Sequence, residues 1–322
     1  MLLAILIVGL LIAGRVARRI LIKRFPPPGT MLELQGYRLH VRCEGQGPVT
    51  ILLEAGLNDF SLHWSRVQQL LSRETRTCSY DRAGLGWSDP SPNPPTIENA
   101  ANDLHAVLGS LSRPTPLILV GHSYGSLLLR MYAQQYPKDI RAIVLLDPAN
   151  EFMAERIPGY AAALESGVDQ FRRLVPLASL GLVALSAKSI PASQLQGEAL
   201  QQYRAVVASR GFLKAAALES AEMPENLRVM RAFPQTALAK IPVVVISRGQ
   251  PEQIPGLPND SAQALEETWA ALQADLVERL NARHIIAERS GHSIQLSQPE
   301  LVYEAIKPFI DREIAGQTEP LR

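Results

Sequence analysis

The segment Gly121-His122-Ser123-Tyr124-Gly125 constrains this chain more than any other. It follows Pro116-Leu117-Ile118-Leu119-Val120, a short apolar run that reads as a buried strand, and precedes Leu127-Leu128-Leu129-Arg130-Met131-Tyr132-Ala133, which reads as a helix. Small residues on both sides of the serine fit a sharp strand–turn–helix corner. Such a corner lifts Ser123 Oγ above a sheet. The amide N–H of Tyr124, opening the helix, points at the same space and can bind an anion there. A nucleophilic serine is the expectation, with a plain strand–helix turn as the bland alternative.

A nucleophilic serine needs a base, and the chain has six histidines. His292, in Ser290-Gly291-His292-Ser293, follows the strand-like His284-Ile285-Ile286-Ala287-Glu288 late in the chain, as a base following its nucleophile does. His122 lies inside the corner and is expected to point away from the nucleophile. His40 falls on an early strand, His105 on a helix, and His63, beside Trp64, at a pocket rim. The third member is a carboxylate that fixes the imidazole tautomer. Asp147 ends the strand-like Ala142-Ile143-Val144-Leu145-Leu146, on the edge where open α/β sheets place their chemistry. The next strand, Pro242-Val243-Val244-Val245-Ile246-Ser247-Arg248-Gly249, has no Asp at its end; Glu252 and Asp260 follow in a Pro-rich loop and stay open as alternatives. A turn-capping role for Asp147 before Pro148 is the structural alternative.

With these residues the chain resembles the α/β-hydrolase family. The features run in order from Leu53-Glu54-Ala55-Gly56-Leu57, through Tyr80-Asp81-Arg82-Ala83-Gly84-Leu85-Gly86-Trp87-Ser88-Asp89 and the Gly-His-Ser-Tyr-Gly corner, to Ser290-Gly291-His292. They cover residues from about 30 to 310. The resemblance implies an α/β fold, an eight-stranded, mostly parallel sheet with helices on both faces and a helical cap inserted after the sixth strand. It implies a catalytic set of Ser123, Asp147 and His292, with backbone N–H groups of Leu57 and Tyr124 as the oxyanion hole. Two features depart from the pattern. Ala55-Gly56 stands where the family often has His-Gly, and the usual acid position after the seventh strand is vacant. The family's sheet order also sets the strands of Cys43 and Cys78 side by side. A bridge between them is one outcome, and buried free thiols behaving as small hydrophobes are the expected one.

The helical cap is placed at 150–239, where βα alternation stops and the sequence turns rich in Ala, Leu, Gln and Arg, broken by Pro158, Pro176, Pro191, Pro224 and Pro234. The core occupies 26–149 and 240–314. Within the cap, Leu174 to Leu185 is apolar on nearly every side and either packs on the core or lines an acyl pocket or membrane contact. Asp81 and Arg82 are read as structural, ordering the glycine-rich turn.

Residues 1–25 are apolar from Met1 to Gly14, then carry Arg15, Arg18, Arg19, Lys23 and Arg24 before Pro26-Pro27-Pro28-Gly29. No basic residue precedes the apolar run, which fits a cleaved signal peptide poorly. A single membrane anchor is the expectation, its arginines snorkelling to the headgroups. The basic flank then places the catalytic domain on the cytoplasmic face.

A net charge of +1 excludes bulk electrostatic attraction to nucleic acid. No Cys/His cluster with metal spacing and no phosphate-cradling glycine loop occurs, so neither metal nor cofactor is expected. The reading is a serine hydrolase of carboxylesterase or lipase type, acting on a small-molecule ester or thioester with an apolar acyl group. Amidase, C–C hydrolase and acyltransferase chemistry use the same machinery. A non-catalytic binding protein on the same fold is the alternative of another class.

Overall fold

The computed structural model describes residues 2–34, 36–111, 116–191, 194–252 and 262–316. Eight strands form one sheet: β1 Thr30–Glu33, β2 Arg38–Glu44, β3 Thr50–Glu54, β4 Arg76–Tyr80, β5 Leu117–His122, β6 Ile140–Leu146, β7 Val243–Arg248 and β8 Arg283–Ala287. Their order is β1-β2-β4-β3-β5-β6-β7-β8. β1 and β2 pair antiparallel, as do β2 and β4, and every other pairing is parallel. This is the eight-stranded, mostly parallel α/β sheet that the resemblance implied.

The central strands read as unbroken apolar runs because both faces of the sheet are covered. Side chains alternate between two cores. Leu52, Leu119, Ile143 and Val245 face one side, where they meet Leu104 and Val107 of α3 (Ile97–Ser110), Leu129 of α4 (Tyr124–Gln135) and Leu276. Ile51, Leu53, Val120 and Val144 face the other, against Val67 and Leu71 of the helix Ser65–Leu71 (α2) and Ile306 and Ile310 of the closing helix Pro299–Ile314. Each such side chain contributes about 1.5–3 kcal/mol on burial. A charge at Val120 would break the layer directly beneath the corner.

The remaining helices are α1 Leu2–Arg24, α5 Met153–Arg156, α6 Tyr160–Ser179, α7 Leu182–Leu185, α8 Gly197–Val207, α9 Arg210–Ala232, α10 Ala262–Leu280 and α11 Ile294–Ser297, with Pro299–Ile314 as α12. From α5 to α9 the chain forms a helical insertion between β6 and β7. Pro176 and Pro224, read from sequence as breaks, lie inside α6 and α9. The two helices pack along one another with Ala163, Met223 and Leu227 in a shared apolar cluster, so tertiary packing offsets the missing N–H groups. Of the apolar stretch Leu174 to Leu185, Leu174, Val175, Ala178 and Val183 pack inward, while Leu177, Leu180 and Leu185 stay exposed.

The N-terminal expectation is corrected. Among the described residues no helix is long and apolar enough to cross a membrane. In α1 the uncharged part runs from Leu2 to Gly14. At about 1.5 Å per residue that is about 20 Å, short of a hydrocarbon core about 30 Å thick. Arg15, Arg18 and Arg19 interrupt any longer stretch. The helix instead docks on the insertion. Gly14 meets Gly181 so closely that a Cβ on Gly181 would stand 2.2 Å from the Gly14 carbonyl carbon. With the anchor goes the basis for placing the catalytic domain on an inner membrane face.

The cysteine expectation is corrected too. Cys43 of β2 and Cys78 of β4 are direct cross-strand partners and form a disulfide.

Candidate functional site

β5 and α4 meet at Ser123, whose backbone takes φ 49° and ψ −118°. A non-glycine residue holds such a conformation only where its surroundings enforce it. The Ser123 amide donates to Leu146 O at 3.0 Å, and its carbonyl accepts from Ser126 N at 2.9 Å and Ala149 N at 3.2 Å. The flanking glycines have no room for a side chain. A Cβ on Gly125 would lie 2.6 Å from the carbonyl oxygens of Glu54 and Ala55, and one on Gly121 2.8 Å from a Leu129 methyl.

Asp147 directly follows β6 and is fully buried. Its Oδ2 lies 2.6 Å from His292 Nδ1, which places the donated proton on Nδ1 and leaves Nε2 free to act as a base. Three further donors hold this carboxylate. Trp269 Nε1–H donates to Oδ1 at 2.9 Å, the Arg248 amide to Oδ1 at 3.1 Å, and Arg248 Nη1 to Oδ2 at 3.2 Å. Burial pushes the Asp147 carboxyl up, but His292, Arg248 and Trp269 together outweigh it and hold the group below the usual carboxylate range. Arg248 lies over the Trp269 ring at 4.3 Å and also pairs with Glu266 at 2.8 Å.

The structure therefore brings Asp147 and His292 together, and Ser123 and His292 both line one cavity of about 460 Å³. Among the described residues, no hydrogen bond joins Ser123 Oγ to His292. The Glu252 carboxylate accepts the His292 backbone N–H and does not touch the imidazole's Nδ1. Asp260 lies outside the described residues. Leu57 lies in the loop after β3, and Tyr124 opens α4. Neither backbone N–H is taken by another protein group among the described residues.

Several residues that shape the site had little signal in the sequence. The expectation that His122 points away from the nucleophile does not hold. His122 lines the cavity instead, and its Nε2–H donates to the His292 carbonyl at 2.9 Å, because β5 and the His292 loop meet at that edge. Burial and the neighbouring His292 keep His122 below its ordinary pKa. Asp59 also lines the cavity, with Oδ1 3.1 Å from His63 Nε2. Burial pushes its carboxyl up, but His63, His122 and His292 outweigh that and bring it to about 2.

The loop carrying Leu57 is clamped from below. Arg82 donates to the carbonyls of Ala55 (2.7 Å) and Gly56 (2.6 Å) and pairs with Glu54 (2.7 Å) and Glu219 (2.6 Å). Glu219, on α9, also accepts the Asn58 amide at 2.6 Å. Arg82 thus does more than order the glycine-rich turn, which Asp81 does by accepting from the Ser61 amide at 2.8 Å and the Trp87 amide at 2.9 Å. The remaining histidines are structural. His40 bonds Asp81 at 2.9 Å in the core, and His105 stacks on Tyr136.

The cavity wall is largely apolar: Leu57, Met153, Tyr160, Leu164, Phe171 and Trp269. Asn58, Gln170, Ser220 and Ser293 are neutral polar groups that line it beside Ser123. No group of three or more His, Cys, Asp or Glu side chains able to hold a metal occurs among the described residues.

Comparisons with known proteins agree with this architecture. Among curated relatives, the chain is 35% identical over 136 residues to "Probable transporter efuK" of Hormonema carpetanum, 40% of this chain and 20% of that protein. It is 34% identical over 106 residues to "Uncharacterized protein YqjL" of Bacillus subtilis (strain 168), 33% of this chain and 42% of that protein. The matches thus span less than half the length of both relatives. Among solved structures, a thermophilic esterase from Thermogutta terrifontis superposes with a TM-score of 0.57 at 21% identity, covering 88% of this chain and 97% of that one, a likeness of fold. Residues 51–305 match the model of the alpha/beta hydrolase family, and the chain belongs to that family.

Proposed function

We propose that this protein is a serine hydrolase whose substrate is a small-molecule ester or thioester with an apolar acyl group. The observation that carries the reading is the 2.6 Å bond from Asp147 to His292 Nδ1, made beside a strained serine in a cavity with apolar walls. Ser123 Oγ attacks the acyl carbonyl carbon while His292 Nε2 takes the hydroxyl proton. In unliganded sites this serine–histidine bond is often long and tightens only with substrate.

Asp147 holds the imidazole in the required tautomer and supports the imidazolium. The carbonyl oxygen becomes an oxyanion facing the N–H groups of Leu57 and Tyr124, each contributing about 3–4 kcal/mol to transition-state stabilisation. The C–O or C–S bond breaks, and His292 returns the proton to the leaving alkoxide or thiolate. Water, deprotonated by His292, then attacks the acyl-enzyme. Its hydroxyl joins the acyl carbon, Ser123 recovers its proton, and the carboxylic acid leaves.

The wall from Met153 to Trp269 favours an apolar acyl chain. Asp59, held anionic within the cavity, disfavours a carboxylate-bearing substrate.

The test is labelling by a fluorophosphonate probe, together with turnover of esters of graded chain length, in the native protein and in Ser123→Ala. The reading expects labelling and turnover in the native chain and loss of both in the variant, with folding unchanged. Ordinary turnover by Ser123→Ala would overturn it.

A further inference from the structure

A second cavity, of about 400 Å³, lies between α1, the loop from Pro90 to Pro95, the start of α3 and the first turns of α9. It shares no lining residue with the cavity of Ser123. The wall between them is the Arg82–Glu219 clamp: Glu219 lines this cavity, and the next residue, Ser220, lines the other. Much of its surface is aliphatic, with Pro90, Pro94, Pro95, Ala100, Ala215 and Leu218 supplying apolar contact.

Its charge is unbalanced. Arg18 of α1, and Arg210 and Lys214 of α9, line the cavity as exposed side chains, and among the described residues none of the three has an ion-pair partner. The acids present are already engaged. Glu219 pairs with Arg82 and accepts from Asn58, and Asp103 accepts the Tyr37 hydroxyl. Four cationic side chains thus line the cavity against two anionic ones. Its volume falls in the range of small-molecule sites, about 300–1,000 Å³. An apolar recess carrying an excess of positive charge fits one class of ligand.

We propose that this cavity binds an amphiphilic anion, a single alkyl or acyl chain bearing a carboxylate or phosphate head. The chain lies along the proline and Leu218 wall, and the head is held by Arg18, Arg210 and Lys214. A neutral amphiphile gains the wall and none of the charge. The ligand rests on the Arg82 and Glu219 side chains that hold the oxyanion loop, but the binding itself is independent of any catalytic role for Ser123.

The probe is decyl phosphate, kept below its micellar concentration and titrated calorimetrically into the full chain, with decanol as the neutral control. Arg210 and Lys214 are exposed, so the double variant Arg210→Glu/Lys214→Glu keeps the fold, checked by circular dichroism and Tm. Decyl phosphate should bind more tightly than decanol. The double variant should weaken it on the order of tenfold or more, raised salt should weaken it further, and Ser123→Ala should leave it unchanged. Equal affinity for decanol, or decyl phosphate affinity unaltered by the double variant, would overturn the proposal. None of these readouts depends on ester turnover.

Discussion

Arg248 ends β7, and its guanidinium lies 3.2 Å from Oδ2 of Asp147 just beyond the end of β6. A cation thus stands at the strand end that lacks an acid, and it reaches across to the carboxylate on the neighbouring strand. The same carboxylate contacts His292, so the charge of Arg248 acts on the imidazole through Asp147.

The first prediction concerns the acid. Asp147→Asn should retain the fold and lower kcat on the order of 10⁴-fold, because the amide favours the wrong imidazole tautomer. Glu252→Gln should change kcat far less, since that carboxylate accepts only the His292 backbone N–H. The check is kcat for both variants on one ester. A collapse in Glu252→Gln with near-normal Asp147→Asn would reverse the assignment.

Arg248→Gln tests the reach across the strands. Without the guanidinium, one of the influences holding Asp147 below the ordinary carboxylate range is gone. Asp147 then takes up its proton at higher pH. The acid limb of kcat/KM should move to higher pH, and kcat near neutrality should fall roughly tenfold. The coupled Asp147–His292 pair titrates as a unit, so the profile reports the pair. An acid limb that does not move would show that the ion pair has no hold on the carboxylate.

Glu219→Gln tests the clamp beneath the loop of Leu57, the proposed oxyanion donor. Glu219 accepts the Asn58 amide, one residue from the Leu57 N–H, and pairs with the Arg82 that holds the Ala55 and Gly56 carbonyls. Neutralising it should loosen the loop where charge develops in the transition state. The expected signature is kcat lowered roughly tenfold with KM changed little. A rise in KM alone would place Glu219 in ground-state binding instead.

How far the sequence anticipates this structure follows from how local each feature is. The Ser123 corner is legible because a strand, two small residues and a helix are adjacent in the chain, although only Gly121 is fixed by contacts nearby in sequence, and Gly125 is fixed by the distant carbonyls of Glu54 and Ala55. The sheet is legible because its central strands are buried on both faces and read as unbroken Val, Ile and Leu. Asp147 could be ranked above Glu252 by its strand end, but only the folded chain shows Arg248 and Trp269 turned onto it. Those contacts span 101 and 122 residues and leave no mark in either local pattern. Glu219 was invisible for the same reason, lying 137 residues from Arg82 in a helix whose composition is generic. The N-terminal helix misled because its apolar run reaches the length of an anchor only if Arg15, Arg18 and Arg19 are taken to snorkel to the headgroups. Its packing on Gly181 depends on the absence of a side chain at Gly14, which hydropathy does not register.

The disulfide gives a stability prediction. Closing a loop between residues 35 apart in sequence, the Cys43–Cys78 bridge should stabilise the fold by about 3–4 kcal/mol in the chain-entropy description. The double variant Cys43→Ala/Cys78→Ala should therefore unfold at lower denaturant than the oxidised native chain. Dithiothreitol should lower the midpoint of the native chain and leave the variant unmoved. Equal midpoints for the oxidised chain and the variant would exclude a stabilising bridge.

The last prediction concerns acid stability. Glu151, 2% exposed, accepts from Arg130 Nη2 at 2.6 Å, Arg279 Nη1 at 2.7 Å and Gln235 Nε2 at 3.2 Å. Burial pushes this carboxyl up, but Arg130 and Arg279 outweigh it and bring it to about 2, from an ordinary value of 4.5. A carboxyl whose folded pKa is depressed stabilises the fold above its unfolded pKa and loses that contribution as pH falls through its folded one. Here the loss runs from pH 4.5 down to about 2 and amounts to roughly 3 kcal/mol. Glu151→Gln should make the decline in unfolding free energy over that window shallower, because the titrating group is gone. The same variant should be less stable at neutral pH by about 3–5 kcal/mol, since Arg130 is left buried without its counter-charge. Urea titrations at a series of pH values, on both proteins, read the two effects separately. An unchanged slope of stability against pH, with stability at neutral pH reduced, would assign the acid loss to other carboxylates.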